Sequence, residues 1–304
     1  MPPNLFQKLR SLVQAVPQVL ATAKAANISF FALFFADTGS VFGNRQDQDK
    51  YEIFLRLSKV CALAPYLAET VFLSSNGAVP PKIRFPIVVK PIWGEQSLGI
   101  VTIRDENALR HFLRKRYRPY IAQHFIPDAR EIGVSFTRNP AGPPHFFGVA
   151  AKQPVAPNGE WKNGFRKVPK NFYYQDVTDN VDRERLMELC LTIATTLRTN
   201  TLRFDAFVRN EDKDIELDTM QIIEVNTGIF AADEFLFDLR HAPQFVVEEL
   251  TRRYTYLLLW GARYTPHPTP TELGNLLTHY SQCYAVNLWR HFKETALVSK
   301  FQDV

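Results

Sequence analysis

The stretch Leu202-Arg-Phe-Asp-Ala-Phe-Val208, followed after an acidic loop by Gln221-Ile-Ile-Glu-Val-Asn226, decides how the rest of the chain is read. Side chains alternate faces along a strand, so Arg203 and Asp205 point one way while Phe204 and Ala206 point the other. By the same alternation Glu224 and Asn226 share a face, with Ile223 and Val225 opposite. If the two strands pair around the loop 210–219, all four polar side chains gather on one surface. Hard oxygen ligands beside a cation are what a magnesium–phosphate site requires. Two amphipathic strands with one wet face and a surface Arg–Asp pair would give the same pattern, and these residues alone leave both readings open. The loop itself is no calcium loop, because Leu217 and Ile223 stand where glycine and a bidentate glutamate are needed.

A second stretch, Phe85-Pro-Ile-Val-Val-Lys-Pro-Ile-Trp-Gly-Glu-Gln-Ser-Leu-Gly99, reads as a buried strand that delivers Lys90 at its end. The loop after it holds Gly94, Ser97 and Gly99, and backbone N–H groups freed by glycines beside a lysine make a phosphate cradle. It is not a P-loop, since no Gly-Lys-Ser/Thr run opens a helix. Glycine-containing loops after strands are ordinary, so this stretch says little by itself.

Around these motifs the spacing of apolar residues predicts helices over 49–63, 105–117, 181–197 and 244–261, and strands over 85–90, 120–125, 132–136, 146–151, 202–208 and 220–225. Ile28 to Phe35 reads as a further buried strand. Leu5, Leu9, Leu12, Val13, Val16 and Leu20 fall on one face of an amino-terminal helix, kinked at Pro17, and that face is expected to pack. The segment His267 to Thr271 reads as a linker to a helical appendage. The expected class is α+β with antiparallel sheet.

Composition agrees with a folded enzyme-sized chain. Of 304 residues, 46% are apolar and 22% charged, which excludes wholesale disorder. Cys61, Cys190 and Cys283 are too scattered for a disulfide framework or a zinc cluster, which points to a reducing compartment and a cytoplasmic location. The basic run Arg114 to Arg118 reads as a solvated helix terminus rather than a nucleic-acid patch. Residues 1–36 carry no acidic side chain, and Ala21-Thr22-Ala23 mimics a cleavage site. Gln14, Pro17 and Gln18 interrupt any signal-like apolar core, however, and the apolar run Ile28 to Ala36 is too short to span a bilayer. Neither nucleic acid nor membrane is expected as a partner.

Taken together, the order strand–Lys–Gly/Ser loop, hinge strand, Arg-x-Asp strand and Glu-x-Asn strand resembles the ATP-grasp superfamily. The branch it most resembles is that of D-alanine–D-alanine ligases and other carboxylate–amine ligases, over Asp49 to about Tyr264. Ile222-Ile-Glu-Val-Asn-Thr227 is the most specific motif. The resemblance implies an ATP-grasp fold of two subdomains clasping ATP. Residues 1–48 would be a shortened helix–strand segment, 49–126 the N-lobe, 127–265 the C-lobe with the metal site, and 266–304 a linker with a helical appendage.

Residue by residue, Lys50 resembles the first phosphate-binding lysine and Lys90 the second. Gly94 to Gly99, with Ser97 as a donor, resembles the loop that closes over the triphosphate. Gln123, His124, Phe125 and Ile126 resemble the hinge that reads adenine, and Glu131 the carboxylate on the ribose. Lys152 resembles a further phosphate contact, and Asn163 a residue near the substrate. Asp205, Glu224 and Asn226 match the ligands of one or two Mg²⁺, and Arg203 the cation beside the transferred phosphoryl group. Asp233 or Glu234 would hold the ammonium of the acceptor, or else cap the next turn. Lys50 also fits a solvated helix residue, Glu131 a surface strand beside Arg130, and Lys152 a plain strand-end lysine.

The family pattern implies ATP-dependent joining of a small carboxylate to an amine through an acyl phosphate, with Arg203, Lys90 and Lys152 as the catalytic cations. An ATP-grasp phosphotransferase and a nucleotide-binding subunit that needs a partner are the rival readings. The chain departs from the pattern in three ways. Gln123 replaces a glutamate at the hinge, and Thr227-Gly-Ile-Phe230 lacks a Pro-Gly turn. Residues 1–48 are also too few for the usual amino-terminal domain, which leaves that wall of the pocket to a second copy, as a homodimer, or to a partner subunit.

Overall fold

Period-two alternation builds two antiparallel sheets, described in a computed structural model. It covers residues 5–36, 49–74, 79–80, 83–92, 99–114, 119–126, 129–139, 142–154, 172–209, 215–228, 231–239, 241–275 and 278. The first sheet has the order β1(Thr70–Leu73)–β4(Tyr120–His124)–β2(Ile87–Pro91)–β3(Val101–Ile103). The second has the order β7(Phe172–Asp176)–β6(Phe146–Pro154)–β5(Ala129–Thr137)–β8(Thr201–Arg209)–β9(Gln221–Thr227). The class is therefore α+β with antiparallel sheets, as the sequence predicts. Three strands escape the alternation test because they are short (β1, β3) or dense in aromatic residues (β7, Phe172-Tyr-Tyr-Gln-Asp176).

Each sheet hides one face. In the first, Leu73, Ile87, Val89, Ile103, Tyr120 and Ala122 pack on Leu109 and Leu113 of α3 (Glu106–Arg114). In the second, Ile132, Val134, Phe136, Leu202, Phe204 and Ala206 are fully buried against α4 (Arg183–Leu197) and Leu57 of α2 (Lys50–Ser58). Each such valine, leucine, isoleucine or phenylalanine side chain contributes roughly 1.5–3 kcal/mol. The opposite faces carry the polar residues: Lys90 and Gln123 on the first sheet; Glu131, Gly133, Ser135, Arg203 and Asp205 on the second.

Residues 5–36 fold as α1 (Leu5–Ala25) and a 3₁₀ helix (Phe30–Phe35), which corrects the strand expected over 28–35. Asn27 takes a left-handed turn (φ 52°), and the Ser29 hydroxyl accepts from the Phe31 N–H, which starts a helical turn. Ala32, Leu33 and Ala36 are the buried residues, a helical spacing. The segment docks on α6 (Pro243–Gly261) at Gly261, where a Cβ would collide with the Ala32 carbonyl. The leucine face of α1 is only partly buried: Leu12 packs against the core and Val16 is half-buried. Ser11, Ala15, Val19 and Ala23 pack inward, while Leu9, Val13 and Leu20 face out. Small residues let α1 approach α6 closely, and that outweighs burial of Leu9, Val13 and Leu20.

The linker is shorter than expected, because helix begins at 270. Thr269 and Glu272 cap it reciprocally: Glu272 Oε2 accepts from the Thr269 N–H, and Thr269 Oγ1 accepts from the Glu272 N–H. Residues 279–304 lie outside the described residues.

Candidate nucleotide and metal site

β8 and β9 pair antiparallel, with Arg203 opposite Asn226 and Asp205 opposite Glu224. The four polar side chains thus share one face of the sheet. The alternation within β9 is broken, however: a β-bulge shifts the register between Asp205 and Ala206, so that Ala206 pairs with Ile222. Ile222 and Val225 therefore both reach the core, and Ile223, expected opposite Glu224, is the extra residue. A bulge resets parity in this way and re-aims a side chain. Here it leaves Glu224 on the polar face.

Lys50 arrives from α2. Asp49 caps that helix by accepting from the N–H groups of Tyr51 (2.8 Å) and Glu52 (3.1 Å). The Lys50 N–H donates to the Ile92 carbonyl (3.1 Å), which pins the start of α2 beside the end of β2. Lys50 Nζ then lies 2.9 Å from Glu224 Oε1. Lys90 projects from β2 on the same side and is buried. Burial pushes its pKa down; Glu224, Glu131 and Asp205 oppose that shift, and Lys50 adds to it. Those influences place Lys90 among the charges of both sheets.

Two further ion pairs complete the face. Lys152 Nζ lies 2.9 Å from Glu131 Oε2 on the neighbouring strand. Arg203 Nε donates to Asp205 Oδ1 at 3.1 Å. Lys50, Lys90, Lys152 and Arg203 thus face Glu131, Asp205 and Glu224, an excess of one positive charge that suits a polyanion.

Gly133, opposite Asp205 on β5, is a site residue that the sequence reading missed. A Cβ there would stand 3.1 Å from Arg203 Nε and 3.3 Å from Asp205 Oδ1. The missing side chain leaves room for the Arg203 guanidinium and the Asp205 carboxylate. No motif marks this glycine; only the register reveals it.

Gln123 links the two sheets. Its Nε2 donates to Thr70 Oγ1 (3.0 Å) and to the Ile223 carbonyl of β9 (3.2 Å). Its Oε1 is buried without a hydrogen-bond partner among the described residues. An acceptor of that kind is costly unless a ligand donor meets it. His124 is exposed, with its ring 3.4 Å from the Arg84 carbonyl oxygen, and the Phe125 N–H donates to the Pro86 carbonyl. Phe125 and Ile126 are half-buried on the way to β5.

Asp233 is placed differently from the expectation of an open ammonium site. It opens α5 (Asp233–Asp238), is buried, and pairs with Arg253 of α6 while accepting from Tyr254 Oη at 2.5 Å. Burial lowers Arg253 to about 10 and raises Tyr254 to about 12. Gly99, two residues before β3, has a left-handed φ of 74°. Gly94, Ser97 and Asn163 lie outside the described residues, as does the side chain of Glu234.

Among the described residues no group of three or more His, Cys, Asp or Glu side chains is spaced to hold a metal ion. The donor set still fits Mg²⁺, which is commonly bound by one or two carboxylates together with substrate phosphates. Asp205 and Glu224 are such a pair, on directly opposed positions, with the exposed Asn226 beside them.

No family model matches the chain, and no curated protein matches it. Solved structures do resemble it. D-alanine–D-alanine ligase from Bacillus anthracis, complexed with ATP, is 14% identical with a TM-score of 0.47, covering 70% of this chain and 68% of its own. VanG D-Ala:D-Ser ligase from Enterococcus faecalis is 15% identical with a TM-score of 0.46, covering 68% and 61%. L-amino acid ligase from Bacillus licheniformis is 15% identical with a TM-score of 0.44, covering 67% and 47%. At these values the functional reading rests on the chain's own residues.

Proposed function

We propose that the chain is an ATP-dependent carboxylate–amine ligase that forms an amide through an acyl phosphate and releases ADP and phosphate. The observation that carries this reading is the convergence of Lys50, Lys90 and Arg203 with Asp205 and Glu224 on the polar faces of two sheets. That set can bind a triphosphate, neutralise charge on a transferring phosphoryl group and hold a divalent cation.

In this reading Lys50 and Lys90 bind phosphate oxygens, and Arg203 lies beside the phosphoryl group and later the oxyanion of the tetrahedral intermediate. Lys152 and Glu131 meet the ribose and phosphates, and the Gln123 Oε1 accepts from the adenine amino group. Asp205, Glu224 and Asn226 would hold Mg²⁺, whose part is to neutralise phosphate charge. The carboxylate oxygen of the donor attacks the γ-phosphorus, the bond to the β-γ bridging oxygen breaks, and ADP leaves. The amine then displaces phosphate from the acyl carbon. No covalent enzyme nucleophile is needed.

The test is ADP release from Mg²⁺-ATP with pooled organic and amino acids, with and without hydroxylamine, against Glu224→Gln. The reading expects acid-dependent ADP and a hydroxamate, both lost in the variant. A stable phosphorylated alcohol with no hydroxamate would replace it with a phosphotransferase.

A further inference from the structure

We infer that the outer face of α1 is a docking surface for the headgroup region of an anionic bilayer. The inference stands apart from the nucleotide site. It starts from the orientation of α1, whose small-residue side, Ser11, Ala15, Val19 and Ala23, is the side packed inward. This turns Leu9, Val13 and Leu20 outward at 55%, 61% and 44% exposure. At 100° per residue these three side chains fall within roughly 40° of one another, so they form one stripe. An exposed helix face in a water-soluble domain ordinarily carries charged residues there instead.

The charge on this segment is of one sign. Exposed Arg10 and Lys24 lie on the same side of the helix as the stripe, and from Leu5 to Ala36 the sequence contains no aspartate or glutamate. A stripe of leucine and valine beside lysine and arginine is the pattern of a helix lying in a membrane interface.

A second observation is where the exposed apolar residues concentrate. Among the described residues ten large apolar side chains are exposed, and six of them belong to α1, the 3₁₀ helix, α6 and the turn after α6: Leu9, Val13, Leu20, Phe31, Leu259 and Tyr264. These pieces are joined, since the Ser29 N–H donates to the Pro266 carbonyl at 2.8 Å. Arg263 lies 4.8 Å over the Trp260 ring in the same region, and aromatic residues with basic neighbours suit the headgroup layer. Among the described residues no helix is long and apolar enough to cross a membrane, so α1 lies on the surface. The sequence reading set a membrane aside because no apolar run is long enough to span a bilayer and polar residues interrupt a signal-like core; neither ground bears on a helix that lies in the interface.

The experiment is flotation of the full-length protein with phosphatidylcholine vesicles, with and without phosphatidylglycerol, at low and high salt. Partition should be about thirty-fold stronger with the anionic lipid at low salt, roughly fivefold for each of two basic side chains. Leu9→Ser/Val13→Ser/Leu20→Ser should weaken it by about tenfold or more, with circular dichroism unchanged. Arg10→Gln/Lys24→Gln should remove the preference for the anionic lipid. No partition into either vesicle would overturn the inference, as would equal partition of the triple-serine variant. A two-chain sedimentation mass that the triple variant halves, without vesicle binding, would assign the stripe to a second copy instead.

Discussion

Lys50 Nζ stands 2.9 Å from Glu224 Oε1, which ties the first residue of α2 to the strand that closes the second sheet. The lysine is thereby held where Lys90 also points, before any phosphate is bound. Lys50→Met should raise KM for ATP by about tenfold or more, because a cation is lost from a partly dry site. Its stability should change little, because loss of Lys50 also removes its repulsion of buried Lys90, which still faces Glu224. Initial rates and thermal melts measure the two effects separately.

Gly133→Ala tests the seat of Arg203. The added Cβ must displace the guanidinium, now 3.1 Å away, or the Asp205 carboxylate behind it. The expected result is a fall of up to about tenfold in kcat/KM, because the guanidinium must give by well under the 1 Å that costs about 100-fold, with little change in Tm. An unaltered rate would mean that Arg203 does not act in the position observed.

How much of this was legible beforehand differs from residue to residue. The Arg203/Asp205 alternation was readable because β8 keeps period two along its length. β9 does not: its bulge puts Ile222 in the core beside Val225, and no residue type there announces a bulge. Gly133 was invisible because its role depends on the strand lying opposite. Residues 28–35 were misread because apolar aromatic runs serve a strand or a buried helical turn equally well, and docking on Gly261 decides between them. The face of α1 was misjudged for a related reason, since periodicity shows that a helix is amphipathic but not which neighbour it approaches.

Gln123 couples the sheets through its bond to the Ile223 carbonyl, while its bond to Thr70 within the first sheet holds the amide in place. Gln123→Leu removes both and leaves the Ile223 acceptor without that donor, at a cost of roughly 1–3 kcal/mol. Denaturant unfolding should show that loss, and KM for ATP should rise. A variant as stable as the parent would show that the sheets are held by other contacts.

Cys190 is fully buried in α4, and burial pushes its thiol pKa well above the ordinary range, whereas Cys61 is exposed. A raised thiol pKa keeps the sulfur protonated in the native state while the unfolded chain ionises near its ordinary value. Between about pH 7 and 9, iodoacetamide should label Cys61 in the native protein and Cys190 only after denaturant is added. Above that range, ionisation of Cys190 favours the unfolded state, so stability contributed by the neutral thiol falls as pH rises. Peptide mass spectrometry reads the labelling directly.

The central claim is that Lys50, Lys90, Asp205 and Glu224 form one magnesium-dependent nucleotide site. Calorimetric titration with a non-hydrolysable ATP analogue, with and without Mg²⁺, tests it without knowledge of the substrates. The account predicts one site per chain, tightened by Mg²⁺, with the magnesium effect abolished in Glu224→Gln and binding weakened in Lys90→Met while both variants keep their fold. Absence of binding in the parent protein, or binding of equal strength in both variants, would contradict it.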